Sequence, residues 1–182
     1  MKVPLFDLRV EDKETKSELT LSLEKILAHG RFFAGPEIEE FESKIAAFCN
    51  SKYAVGVSSG SSALFLALKA SGIKNGDEVI TTPLTWIITV SAIVACGAIP
   101  VFADVQNDFN IDPVSVKTLI TKKTRAIVPM HYAGHMCDMS SIGAIARENN
   151  LLIIEDAAQA FGASLNKQMA GTFSSAGSFS MN

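Results

Sequence analysis

From Tyr53 onward, short apolar runs alternate with segments whose apolar positions recur at helical spacing, and this rhythm limits the chain to few folds. The runs fall at 54–58, 78–81, 99–103, 125–130 and 151–155. Helical segments at 62–71, 85–96, 113–120 and 139–149 sit between most of them. Strands this apolar have no face left for water, so they predict an α/β fold: a mainly parallel sheet covered by helices on both sides. After Glu155 the pattern shortens to β-like pieces at 162–165 and 177–181 around an Asn166-Lys167 turn.

Before this rhythm, residues 11–29 are polar with Leu19, Leu23, Ile26 and Leu27 at helical spacing, an amphipathic helix that Gly30 can stop. Pro36 suits the first turn of a second helix, on which Ile38, Phe41, Ile45 and Phe48 share a face. The expected division is an N-terminal arm and helix over residues 1–36 and one large domain over 37–182. Between Val79 and Ala103 no charge occurs. Pro83, Gly97 and Pro100 interrupt the stretch and Asp77, Glu78 and Asp104 flank it, so a buried strand–turn–helix–turn–strand is expected, not a membrane span.

Charge narrows the partners. Sixteen Lys+Arg against 19 Asp+Glu leave a net charge of −3, which gives nucleic-acid binding no electrostatic support. Cys49, Cys96 and Cys137 are odd in number and scattered, the pattern of reduced thiols in a cytoplasmic protein. Asp7, Glu11 and Asp12 near the start are unlike a signal peptide.

In a parallel sheet, ligands collect where strands end at their carboxyl edges. Ser58-Ser-Gly-Ser-Ser62 follows one run and opens a helix. There Gly60 permits a tight turn, and free N–H groups with the hydroxyls of Ser61 and Ser62 could cradle a phosphate, or a serine could simply cap the helix. Trp86, the single Trp, stands beyond a Thr-Thr-Pro loop, as a core residue or as a platform for a planar ring. Asp156 follows the most apolar run, so it is either the cap of the next turn or the partner of a buried cation such as a pyridinium nitrogen. Gln159 could then reach a ring hydroxyl. His131 and His135 are four apart, but Pro129 and Gly134 make the segment a loop, so no metal site is expected and His131 is read as a polar group facing the cleft. Of Ser178 and Ser180, which alternate in a short strand, one could face a phosphate.

Several segments in order carry a family resemblance: Gly35-Pro-Glu-Ile-Glu-Glu-Phe-Glu42, Tyr53-Ala-Val-Gly-Val-Ser-Ser-Gly60, Gly76-Asp-Glu-Val-Ile80 and Thr82-Pro-Leu-Thr-Trp86. Gly97-Ala-Ile-Pro-Val-Phe102, Asn110-Ile-Asp-Pro113, Pro129-Met-His-Tyr-Ala-Gly134, Ile154-Glu-Asp-Ala-Ala-Gln159 and Gly177-Ser-Phe-Ser180 continue it. From about Phe6 onward the chain resembles the DegT/StrS family of pyridoxal 5'-phosphate (PLP) enzymes, mostly nucleotide-sugar aminotransferases. The resemblance implies the three-layer α/β/α large domain of a fold-type-I PLP enzyme, incomplete at its C-terminus, with the small C-terminal domain absent. It implies a reaction that moves an amino group from an amino acid such as glutamate to a keto-sugar nucleotide, in a cytoplasmic homodimer with a shared active site.

By position, the resemblance gives Ser61, Ser62 and Ser180 to the PLP phosphate, with Gly60 beside them. Trp86 stacks on the ring, Asp156 pairs with its nitrogen, and Gln159 meets its phenolic oxygen. Asp156 and His131 are the candidate catalytic residues, and residues 31–35 a substrate or interface loop. The Schiff-base lysine falls at position 185, past Asn182, so the 182 residues alone are expected to be inactive. A His there would instead imply a sugar dehydratase. A third reading is a truncated, non-catalytic chain that binds PLP or serves as a partner. The missing strand that follows the lysine is expected to leave 54–58 without a neighbour in the sheet.

Overall fold

The structure is a computed structural model that describes residues 9–181. The start of the resemblance at Phe6, the acidic Asp7 and the terminal Asn182 lie outside the described residues.

Two helices open the described chain. Helix α1 (Lys13–His29) begins at Asp12, whose carboxylate accepts the Thr15 N–H at 2.7 Å, and it ends where Gly30 turns left-handed at φ 68°. None of its residues is buried, and Leu19, Leu23 and Leu27 face outward. Helix α2 (Pro36–Cys49) starts with Pro36 in its first turn, and Asn50 caps it in the left-handed region. His29 Nε2 lies 2.9 Å from Glu37 Oε1 across the intervening loop.

The rest is the expected alternation. After α3 (Gly60–Ala70) come β1 (Glu78–Thr81), α4 (Ile87–Ala95), β2 (Ile99–Phe102), α5 (Pro113–Leu119), β3 (Thr124–Ile127), a single 3-10 turn (Tyr132–Gly134), α6 (Met139–Glu148) and β4 (Leu152–Asp156). A small antiparallel hairpin, β5 (Ser164–Leu165) and β6 (Gln168–Met169), precedes β7 (Ala176–Ser178). The main sheet has five strands in the order β2-β1-β3-β4-β7, every pair parallel.

Strand side chains alternate between the sheet's two faces, and the core divides accordingly. Val79, Ala126, Val128 and Ile154 pack with Leu64, Leu68 and Ile93 of α3 and α4. Ile80, Ile127 and Ile153 pack on the other side with Val116, Ile142 and Ala146 of α5 and α6. Each of the wholly buried Leu and Ile side chains contributes about 2 kcal/mol of transfer free energy, and the two sets give the three layers. The uncharged stretch becomes β1, α4 and β2, and among the described residues no helix is long and apolar enough to cross a membrane.

The run at 54–58 is a correction. It forms no strand, and Val55 is 77 % exposed. A strand needs a ladder partner, and none lies beside this segment among the described residues; the Gly56 N–H instead donates to Glu42 Oε1 at 2.7 Å.

Candidate active site

A cleft of about 840 Å³ lies at the carboxyl ends of β4 and β7, against the start of α3. Gly60, Ser61, Trp86, Asp156, Gln159 and Ser180 all line it, although they come from four separate parts of the sequence. Ser62 and His131 do not, and neither does any residue of the loop 31–35.

The first turn of α3 forms one wall. Ser59 caps the helix, its hydroxyl accepting the Ser62 N–H at 3.1 Å. Ser62 Oγ lies 2.9 Å from Ser58 Oγ and 3.1 Å from Ser59 Oγ, so its hydroxyl is taken up within the serine cluster. Among the described residues the Gly60 and Ser61 N–H groups have no acceptor, and they carry the positive end of the helix dipole. Gly60 serves here for close approach, not for the tight turn expected of it: a Cβ would stand 2.8 Å from Ser180 Cβ. Ser180 thereby sits directly against the helix start, while Ser178 turns away and donates to the Glu155 carbonyl at 3.1 Å.

Trp86 is the N-cap residue of α4 and is 71 % exposed, so it is not a core residue. Gln159 Oε1 accepts the Ala133 N–H at 2.8 Å, which leaves its amide NH2 as the donor at the cleft.

Asp156 ends β4 on the α3–α4 side of the sheet, two residues past Ile154 and hence on the same face. It is buried, and burial pushes its carboxyl above the ordinary aspartate range. Two donors partly offset this: Thr89 Oγ1 to Oδ2 at 2.6 Å, and the Ala158 N–H to Oδ1 at 3.2 Å. Among the described residues no Lys or Arg pairs with it. Asp156 is thus both the cap of a turn and a buried carboxylate lacking a countercharge.

His131 is the second correction. It was expected to face the cleft, but it is wholly buried on the opposite face of the sheet with Glu155. Its Nδ1 accepts the Cys137 N–H at 3.2 Å, so Nε2 carries the proton and donates to Glu155 Oε2 at 3.0 Å. Glu155 also accepts from the Gly171 and Phe173 N–H groups and the Ser174 hydroxyl, each at 2.7 Å. Four donors saturate both its oxygens, which is how a carboxylate tolerates full burial. His135 turns elsewhere, toward Asn110 and Asp108. Burial also pushes the Cys137 thiol up to about 12.

Sequence reasoning missed Thr89 and Glu155. The signal for Thr89 was its spacing of four from Thr85, the residue before the N-cap of α4, which lets the two hydroxyls meet. The signal for Glu155 was that adjacent carboxylates on one strand must face opposite sides of the sheet.

Comparison with solved structures gives the class. S. venezuelae DesV in complex with a ketimine intermediate matches with a TM-score of 0.90 at 42 % identity, over 93 % of this chain and 46 % of that one. Bacillus subtilis NtdA with bound cofactor PMP matches with a TM-score of 0.83 at 32 % identity, over 88 % of this chain and 37 % of that one. The three-layer sheet is therefore the fold of the PLP aminotransferases. Within that class, the chain belongs to the DegT/DnrJ/EryC1/StrS aminotransferase family, whose model matches residues 13–182. A curated relative, the dTDP-3-amino-3,4,6-trideoxy-alpha-D-glucose transaminase of Streptomyces venezuelae, is 42 % identical over 180 residues, 98 % of this chain and 48 % of the relative. The chain spans about half the length of the curated relatives it matches.

Proposed function

We propose that the protein to which these residues belong is a PLP-dependent aminotransferase, moving an amino group from an amino acid such as glutamate to a keto sugar carried on a nucleotide. Asp156 is the observation that carries the reading: a buried carboxylate at the cleft, its pKa raised, with donors around it but no cation among the described residues. A protonated pyridine nitrogen is a cation of the right shape for that place. The cradle supports the same fit, because the site that a Cβ on Gly60 would crowd is bordered by two free N–H groups and two hydroxyls.

In this reading the Gly60 and Ser61 N–H groups and the Ser61 and Ser180 hydroxyls hold the phosphate, and Ser62 orders the cluster behind them. Trp86 lies against the ring face, Asp156 accepts from the ring nitrogen, and the Gln159 amide donates to the ring hydroxyl oxygen. When bound, PLP supplies an electron sink for the carbon whose C–H bond breaks in amino transfer. Asp156 keeps that sink protonated. Trp86 and the serines fix its orientation. The reading places covalent attachment on a lysine at position 185 of the whole protein, without which the cofactor is held but transamination fails. It also includes a homodimer whose second subunit closes the cleft, which the exposure of Trp86 supports.

The test is Asp156→Ala in the full-length protein. PLP affinity should fall at least about tenfold, as expected for loss of a charge-assisted hydrogen bond, and the absorption band of the bound cofactor should move. Unchanged affinity and spectrum would overturn the reading.

A further inference from the structure

Asp156 is held by a hydroxyl that the reading above leaves unused. Thr89, on the first turn of α4, is 1 % exposed, and its Oγ1 donates to Asp156 Oδ2 at 2.6 Å. Thr85 Oγ1 lies 2.6 Å from the same oxygen of Thr89. A threonine hydroxyl has one proton. With that proton committed to Asp156, Thr89 can only accept from Thr85, so the chain runs Thr85 to Thr89 to Asp156. Chained hydroxyls polarise one another, and each bond strengthens the next.

The neighbours of Asp156 therefore all donate. Thr89 takes Oδ2 and the Ala158 N–H takes Oδ1, while the remaining lone pairs belong to the side that borders the cleft. We propose that Thr89, backed by Thr85, is a positioning residue: its hydroxyl fixes the Asp156 carboxylate in one orientation and holds it as an acceptor for a cationic ring nitrogen in the cleft. The proposal rests on the reading of Asp156 as that nitrogen's partner. Its energetic sense is clear from the opposing effects at this carboxyl. Burial pushes it toward the neutral form, and the Thr89 bond is the foremost effect pulling it back.

Few other titratable groups reach this carboxylate. His131, from the loop after β3, has Nδ1 accepting from Cys137 and gives its Nε2 proton to Glu155. Glu155 adjoins Asp156 in the chain but points to the opposite face and is saturated by four donors. The parts of α3, α4 and β7 that line the cleft bring no charged side chain, and α2 brings one, Glu42, whose Oε1 accepts the Gly56 N–H.

The experiment compares Thr89→Val, which keeps the branched shape without the hydroxyl, with Thr89→Ser, which keeps the hydroxyl. Both are made in the full-length protein. Two readouts avoid activity: the pH titration of the Asp156 carboxyl carbon by NMR in the cofactor-free protein, and the affinity for PLP with the ¹⁵N resonance of its ring nitrogen. Thr89→Val should raise the Asp156 midpoint and weaken PLP about tenfold, and Thr89→Ser should restore both. Thr85→Val should act in the same direction by less, and should add little on top of Thr89→Val. It also keeps the question open to measurement should Thr89→Val fail to fold. A folded Thr89→Val protein with an unmoved Asp156 midpoint and unchanged PLP affinity would overturn the proposal. If Asp156→Ala loses PLP while Thr89→Val does not, only the role of Thr89 falls; if Asp156→Ala keeps PLP, the reading beneath it falls as well.

Discussion

Burial without a countercharge makes Asp156 costly to the fold before any ligand arrives. Its folded pKa lies above the ordinary value of 3.8, so over that interval the native state keeps a proton that the unfolded chain has lost. Stability contributed by this carboxyl is present below about pH 4 and is lost as pH rises through the raised folded value. Asp156→Asn carries no charge and escapes this loss. Urea unfolding of the cofactor-free protein at stepped pH should show the variant gaining on the wild type as pH rises, then holding a constant lead; a difference independent of pH would refute the account. This residue was legible because a carboxylate after an apolar strand must be explained by chemistry. Trp86 was legible only as a pair of alternatives, since the sequence places it beside a strand end without saying how deeply it is buried. His131 was misread for a related reason. It stands at the end of an apolar run just as Asp156 does, but its register, set where Met130 bridges Asp156, puts its ring on the other face of the sheet.

At the scale of elements, Glu155 is what joins β4 to its surroundings. One carboxylate ties the strand to the loop after β3 through His131 and to the loop before β7 through Gly171, Phe173 and Ser174. Glu155→Gln keeps the shape but turns an NH2 toward groups that are themselves donors. The cost should be about 3 kcal/mol, read by urea unfolding, and amide exchange should quicken first at residues 171–174; an unchanged unfolding midpoint would show the clamp to be dispensable. Helix positions were largely legible, because caps and apolar spacing are local: Pro36 and Gly30 mark the ends they were expected to mark. Helix α3 begins two residues earlier than expected because Ser59 supplies the cap that carries Gly60 and Ser61 into its first turn. The segment 54–58 was legible as one without a neighbour in the sheet, but not as one that gives up strand form. An alternating apolar run shows that a segment can pair, but whether a partner lies beside it is decided by distant parts of a chain.

For the molecule as a whole, the layers follow from strands without a wet face, whereas the strand order β2-β1-β3-β4-β7 does not, because parallel crossovers join strands whose neighbours the local pattern never names. The same organisation leaves two apolar regions uncovered. One is the outer stripe of α1 with the loop after it, where no α1 residue is buried and Phe33 is 91 % exposed. The other is the unpaired segment in which Tyr53 and Val55 stand mostly in water, across a cavity from β7, an edge strand of the sheet. Exposed apolar area next to an open ladder edge favours association over a dispersed monomer. The 182 residues expressed alone should therefore self-associate, with a mass by light scattering well above the 19.5 kDa of one chain. Charge gives little opposition, since a net −3 is a weak barrier to contact at physiological salt. A monodisperse 19.5 kDa species that unfolds cooperatively would mean that these faces cover one another in solution, and would favour a chain that stands by itself.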